Sequence, residues 1–275
     1  MLFSVEVDAP DLESLERRVR AAEDAGYAFV TFPDDPLRGG VEAGVRAAFL
    51  ARRTTRIGLA PTLHTSTTEP FHLATQLASL DHASLGRAGW VVGATAEPAA
   101  LATVGRTGVD PAEVADVVKV ARGLWDSWED DAVIKDVATG RFLDPRRVHH
   151  VHFESERFSV AGPLITPRPP QGQVVVIGWD SLGVTDRLDI ALVGPSAWEQ
   201  RAERARAAGA PLVFASVPWS FDIDRLRGFV DGVHFWHEDV PLPPAPDRPA
   251  AGRTLREALG LPRPENRYAL ARRTA

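Results

Sequence analysis

The chain has 275 residues, 44% of them hydrophobic and 25% charged, with a net charge of −6. That composition suits a folded globular chain and excludes disordered, collagen-like and coiled-coil architectures, and no apolar stretch is long enough for a membrane helix. With no cysteine, disulfides, thiolate metal sites and cysteine nucleophiles are excluded, and the acidic balance gives no nucleic-acid surface. The N-terminus MLFSVEVDAPD lacks the basic start and apolar run of a secretory signal, so a cytoplasmic location is expected. Only Lys119 and Lys135 are lysines, and with abundant Ala, Gly and Pro the arginine excess reads as GC-rich coding bias.

In chain order, Leu2–Val7 is a short apolar run that predicts a strand. Asp11–Ala25 carries Leu12, Leu15, Val19 and Ala22 on one helical face, capped by Asp11 and stopped by Gly26. Strands follow at Ala28–Phe32, Arg56–Ala60 and Ala88–Gly93, with helices at Val41–Arg53 and Pro70–His82 between them. Asp110–Trp128 predicts a long helix. Residues 129–172 have little periodicity and predict an ordered excursion over one end of the fold. The rhythm resumes with strands at Val174–Ile177, Ile190–Val193, Leu212–Val217 and Gly232–Trp236. Helices are expected at Leu182–Leu188, Ala197–Ala208, Asp222–Phe229 and Thr254–Leu259. Eight strand–helix units in a chain of this length fit a single closed (β/α)8 TIM barrel, with the excursion between strands four and five. An open doubly wound sheet would want a glycine-rich turn after the first strand, where this chain has Asp8-Ala9-Pro10-Asp11.

In such a barrel, ligands sit at the C-terminal strand ends. The polar residues there are Asp8, Asp34, Asp35, Thr62, His64, Thr65, Thr95, Ser181, Ser196, Ser220, His237 and Glu238; each could equally be a turn or cap residue. His64 and His237 are the histidines placed to act as acid, base or orienting donor. Trp90, Trp179, Trp219 and Trp236 lie at or near strand ends and suggest either core packing or an aromatic-walled pocket for a flat or apolar substrate. The His149-His150-Val151-His152 cluster lies in the excursion, and no metal site is expected from it. There is no GxSxG elbow, P-loop or HExxH motif, so hydrolase and NTPase chemistry has no support.

The run Ile57–Ala74, with Thr62-Leu63-His64-Thr65-Ser66-Thr67, resembles the third strand and helix of bacterial-luciferase-like flavin-dependent monooxygenases. Ser79-Leu80-Asp81-His82-Ala83-Ser84-Leu85-Gly86-Arg87-Ala88-Gly89-Trp90 continues the likeness. So do Leu124–Asp131, Phe158–Leu164, Pro169-Pro170-Gln171-Gly172 and Leu255–Pro264. The branch it resembles contains nitrilotriacetate and dibenzothiophene-sulfone monooxygenases, whose members are often longer.

The resemblance implies a barrel that uses reduced FMN from a separate reductase, with dioxygen and a small organic substrate. A deazaflavin in place of FMN, and a homodimer, are also implied. Carried over residue by residue, Asp34, Thr62 and Trp90 fall at cofactor-binding positions, and His64 stands where the family has a small polar residue. Ser181 and Gly183 fall in the turn for the flavin phosphate. Besides His64, three positions depart. Val91 replaces an asparagine, Asp180 places a carboxylate in the phosphate turn, and the family's tyrosine is missing from Asp110-Pro111-Ala112-Glu113. These departures leave two readings open: a flavin-dependent oxidoreductase, or a barrel that has lost flavin and serves as a partner subunit.

Overall fold

The computed structural model describes residues 1–236 and 249–274. Eight parallel strands close into a barrel: β1 (Leu2–Glu6), β2 (Phe29–Phe32), β3 (Gly58–His64), β4 (Gly89–Gly93), β5 (Val175–Trp179), β6 (Ile190–Val193), β7 (Leu212–Pro218) and β8 (Gly232–Trp236). β8 pairs with β1, from Leu2 against Gly232 to Val5 against Phe235, so no edge is left. The helices are α1 (Leu12–Asp24), α2 (Ala43–Leu50), α3 (Pro70–Ser84), α4 (Pro98–Ala102), α5 (Pro111–Trp125), α6 (Trp198–Ala207), α7 (Leu255–Ala258) and α8 (Arg267–Thr274). Asp11 caps α1 as its position implies, its carboxylate accepting from Ser14 N at 2.7 Å.

The expected closed barrel is present, with three local differences. The β5–β6 link is too short for an α-helix. It forms two 3-10 turns, Asp180–Leu182 and Thr185–Arg187, separated by Gly183 at φ 72°. The β7–β8 link likewise makes one 3-10 turn, Ile223–Leu226, where a helix to Phe229 was expected. The third strand starts and ends later than the sequence suggests, because its register with β2 and β4 carries it through Pro61 to His64.

Strand alternation sorts the side chains into two apolar sets. Phe3, Val5, Val30, Phe32, Leu63, Trp90, Val92, Val176 and Phe235 point outward and pack against Leu15, Val19, Leu50, Leu77, Val117 and Leu124 of the helices. Phe29, Ala60, Val91, Val175, Ile177, Ile190, Leu192 and Phe214 fill the interior, and Leu255 and Leu259 pack with them. α7 thus plugs the N-terminal end.

The excursion packs along the outside of α5, from Asp126 at that helix's C-terminal end to Asp110 at its N-terminal cap. It carries two small hairpins, Val133–Asp136 with Arg141–Leu143 and Phe153–Glu154 with Ser159–Val160. Arg168 binds Asp126 and Asp130, Asn266 binds the carbonyls of Asp126 and Trp128, and Arg157 reaches Asp110 and Asp116 on α5. His149 is occupied structurally, within 2.9 Å of Glu129 and stacked on Tyr268.

The segment Ser79–Trp90 acts in folding. Asp81 accepts from Ala88 N at 3.0 Å and from Gln171 Nε2 at 2.6 Å, tying the end of α3 to β4 and to the excursion. Burial pushes its carboxyl up to about 6, against the pull of these donors. Arg87 is buried and donates to the carbonyls of Ala51, Thr54, Ile57 and Ser84 and to the Thr54 hydroxyl. It thereby binds the end of α2 and the starts of β3 and β4 into one knot. Arg87→Met would leave several buried carbonyls without a donor, each worth about 1–3 kcal/mol. Urea unfolding should show a loss of about 3 kcal/mol or more; a loss under about 1 kcal/mol would contradict the role given to Arg87.

Candidate active site at the barrel mouth

Alternation and register decide which side chains face the mouth. Thr62 lies beside Val91, and Val91 beside Ile177, all on the inward face. One step higher His64 lies beside Gly93, Trp179 beside Leu192, and Pro218 beside Trp236. Glu6 ends β1 on the same face, beside Thr31.

His64 is held at both nitrogens. Thr95 N donates to Nδ1 at 3.3 Å, so Nε2 carries the hydrogen and donates to the Asp34 carbonyl at 3.1 Å. The ring fills the space above Gly93, where a β-carbon would come within 2.6 Å of Nδ1. For His64 to accept a proton, the Thr95 contact must first open. Asp34 accepts from Ala43 N at 3.0 Å at the start of α2, and burial raises its pKa. Its loop and the loop after β1 enclose a cavity of about 920 Å³, lined in part by Asp8, Pro10, Asp34, Arg38, Gly40 and Arg46. Asp8 is paired there with Arg46 at 2.8 Å and Arg38 at 3.1 Å.

Of the four tryptophans, two face the mouth. Trp179 and Trp236 are 37% and 41% exposed on its rim. Trp90 does not bind there: it points outward, fully buried behind β4, with Nε1 donating to the Leu63 carbonyl at 3.1 Å. Trp219 also packs outward, edge-on against Phe235 at 5.4 Å. Strand-end position suggested both, but strand face decides, and both sit on the helix side. His237 lies outside the described residues.

Two inward residues were not picked out from the sequence. Glu6 is half-buried, and burial together with the Asp8 charge raises its pKa. Among the described residues no donor bonds its carboxylate. Its signal was the alternation Phe3-Ser4-Val5-Glu6-Val7, with the polar residues on one face. His234 lies one layer deeper, fully buried. Its Nδ1 is 3.1 Å from Ser4 Oγ, its Nε2 is 3.4 Å from Thr31 Oγ1, and its ring stacks parallel to Phe29. Desolvation lowers its pKa to about 4.

Across the mouth, the turn after β5 exposes Ser181 and Gly183. Asp180 is bound by Arg201 of α6, whose Nε donates at 2.9 Å and whose second nitrogen closes a two-pronged ion pair. The bare repulsion expected from Asp180 is thus offset, but the cation that offsets it is consumed. Val91 presents methyl groups where the resemblance implies an amide. Arg38 and Arg46 are paired with the Asp8 carboxylate and Arg18 donates to the Asp8 carbonyl, while Glu6 and Asp34 are further carboxylates at the mouth. As arranged, these residues do not fit the phosphate of FMN.

Residues 3–216 match the family described as luciferase-like monooxygenase. The chain therefore belongs to that family, and among the curated proteins it resembles are monooxygenases of the expected branch. It is similar to one subunit of the pristinamycin IIA synthase of Streptomyces pristinaespiralis, 36% identical over 95% of this chain and 94% of that one. Nitrilotriacetate monooxygenase component A of Aminobacter aminovorans is 41% identical over 47% of this chain but only 30% of its own length. The solved EDTA monooxygenase of Chelativorans sp. BNC1 superposes with TM-score 0.69 at 27% identity, covering 79% of this chain and 62% of that chain. The chain thus spans nearly all of the synthase subunit and about a third to two thirds of the other two. No helix among the described residues is long and apolar enough to cross a membrane.

The depressed pKa of His234 makes stability depend on pH with a definite sign. Folding favours the neutral ring, so its contribution is full above 6.5 and is lost as pH falls through about 4. Asp81 acts oppositely: its raised pKa gives a contribution that is full below 3.8 and lost as pH rises through about 6. Comparing His234→Gln with the wild type cancels the Asp81 effect. The destabilisation caused by the substitution should shrink by roughly 3 kcal/mol between pH 7 and pH 4, at about 1.36 kcal/mol per pKa unit. Urea unfolding at several pH values checks this; a constant difference would contradict it.

Proposed function

We propose that the protein is one subunit of a luciferase-like monooxygenase that oxidises a small organic substrate with dioxygen and reduced FMN supplied by a separate reductase. The observation that carries this reading is the full-length match to a synthase subunit. It is supported by a mouth that combines aromatic walls, Trp179 and Trp236, with the polar residues Glu6, Thr62 and His64. The name of the nitrilotriacetate relative, a component A, fits an oxygenase that works with a second component. Trp179 and Trp236 would hold the apolar body of the substrate, and the walls of the barrel would exclude water around the reacting atoms. FMN supplies the oxygen-activating chemistry, which a protein side chain does not provide. Nothing in the mouth favours a deazaflavin over FMN. Because the phosphate turn is closed by Asp180 and Arg201, the assembly with a second flavin-holding chain is the functional unit, in a cytoplasmic setting where reductase and flavin are available.

The test pairs native mass spectrometry with isotope labelling. The protein purified from its own cell should be a heteromer with a second luciferase-like chain rather than the homodimer implied by resemblance alone. Supplied with a flavin reductase, NADH, FMN and oxygen-18 gas in an extract of that cell's small metabolites, it should give products labelled with one oxygen-18 atom. A pure homodimer, or no labelled product from the intact assembly, would contradict the proposal.

A further inference from the structure

Glu6 is the last residue of β1, half-buried, with no bonded donor for its carboxylate among the described residues. Arg46 lies close enough to interact with its charge, but the terminal nitrogens of Arg46 are taken by the Asp8 carboxylate and the Pro33 carbonyl. His234, one layer deeper, is held neutral by burial and supplies no cation from below. A carboxylate can only accept hydrogen bonds, so Glu6 lacks the donor that a part-buried acceptor needs.

Its neighbour on the next strand is aromatic. The register of β1 with β8 runs from Leu2 against Gly232 to Val5 against Phe235, and its next step sets Glu6 beside Trp236 on the inward face. Such neighbours stand about 5 Å apart. Trp236 is 41% exposed, so part of its indole is open to the mouth. On β7, one layer down, Ser216 points into the interior beside His234, buried and with its hydroxyl unpartnered. A partner is therefore missing at two levels on one side of the barrel. The charge at the rim has the same sense: the cavity of about 920 Å³ between the loops after β1 and β2 is lined by five carboxylates and three arginines. With Glu6 added, the local field favours a cation.

We propose that the barrel mouth binds a protonated organic amine, with its nitrogen between the Glu6 carboxylate and the Trp236 indole. The carboxylate takes an N–H of the ligand, and the face of the ring attracts its charge. The Ser216 hydroxyl lies below as a second acceptor, and the carbon body of the ligand extends toward Trp179 on β5, across the ring of strands. An acidic compound would meet like charge in the same place. The proposal rests on the reading of the mouth as a substrate site and names the class of that substrate.

The experiment measures binding of benzylamine and of its neutral counterpart benzyl alcohol at neutral pH, by ligand-observed NMR and tryptophan fluorescence. Neither flavin nor reductase is present. Wild type, Glu6→Gln and Trp236→Leu are compared, each checked for folding by circular dichroism. Wild type should bind benzylamine about tenfold tighter than benzyl alcohol, and Glu6→Gln should lose that advantage while its affinity for benzyl alcohol stays within about twofold. Trp236→Leu should weaken benzylamine about threefold to fivefold. The proposal is overturned if wild type does not prefer the amine, if Glu6→Gln keeps the preference, or if Trp236→Leu leaves amine binding unchanged. Should the amine bind through Glu6 and Trp236 while the intact assembly gives no product labelled with oxygen-18, the amine site stands and the oxygenase reading fails.

Discussion

Closure of β8 onto β1 is the constraint from which the rest of the molecule follows. Once the ring is closed there is no edge strand, and each strand residue must point either into a narrow interior or out toward the helices. The interior takes Phe29, Ala60, Val91, Ile177, Leu192 and Phe214, and gathers the polar Ser4, Thr31 and His234 into one layer beside Ser216, whose buried hydroxyl has no partner among the described residues. The outward faces build the layer against the helices. The mouth is then whatever the inward faces present at the strand ends: Glu6, His64, Gly93, Trp179, Pro218 and Trp236 close six of the eight strands, while β2 and β6 end on the outward-facing Phe32 and Val193. Its chemistry is a consequence of register, and a shift by one residue would exchange Trp90 for Val91.

The two ends of the barrel are treated differently. At the N-terminal end, buried charge is matched almost entirely by fixed partners. Asp189 accepts from Arg122, Arg256 and Val176 N, which joins α5, α7, β5 and β6. Arg87 and Asp81 do the same for α2, α3, β3 and β4, and Leu255 and Leu259 fill the space between. Breaking such a buried set is costly because each remaining partner is left unsatisfied in a low dielectric. At the C-terminal end Asp8, Asp34 and His64 are also bonded, but Glu6 has no bonded donor among the described residues, and Asp180 and Arg201 pair with each other.

Much of this was legible in the sequence because it depends on local pattern. The short apolar runs, the helical spacing of Leu12, Leu15, Val19 and Ala22 and the cap at Asp11 marked strands and helices, and the resemblance of Ile57–Ala74 and Ser79–Trp90 pointed to the family. What was not legible depends on contacts between distant residues. Asp180 reads as a bare carboxylate until Arg201, on the next helix, is seen to bind it. Trp90 and Trp219 were singled out for lying at strand ends, whereas the face they occupy places them behind the sheet. Glu6 and His234 were overlooked because they stand inside apolar strands, although their alternation with Phe3, Val5, Val233 and Phe235 marked them as inward. The Leu182–Leu188 helix failed because the short loop and Gly183 leave room only for 3-10 turns.

The chain keeps the scaffold of a luciferase-like monooxygenase while altering the turn and the strand position that would meet a flavin. Its similarity to a synthase subunit over nearly the whole chain and the paired arginines of its mouth are the grounds for the proposal that its flavin chemistry belongs to an assembly. The most direct measurement is the number of FMN molecules held by the intact assembly at a concentration that saturates its tightest site, by equilibrium dialysis. One FMN for each pair of unlike chains is expected, with this barrel contributing none at that concentration. One tightly held FMN on every chain would contradict this division of labour.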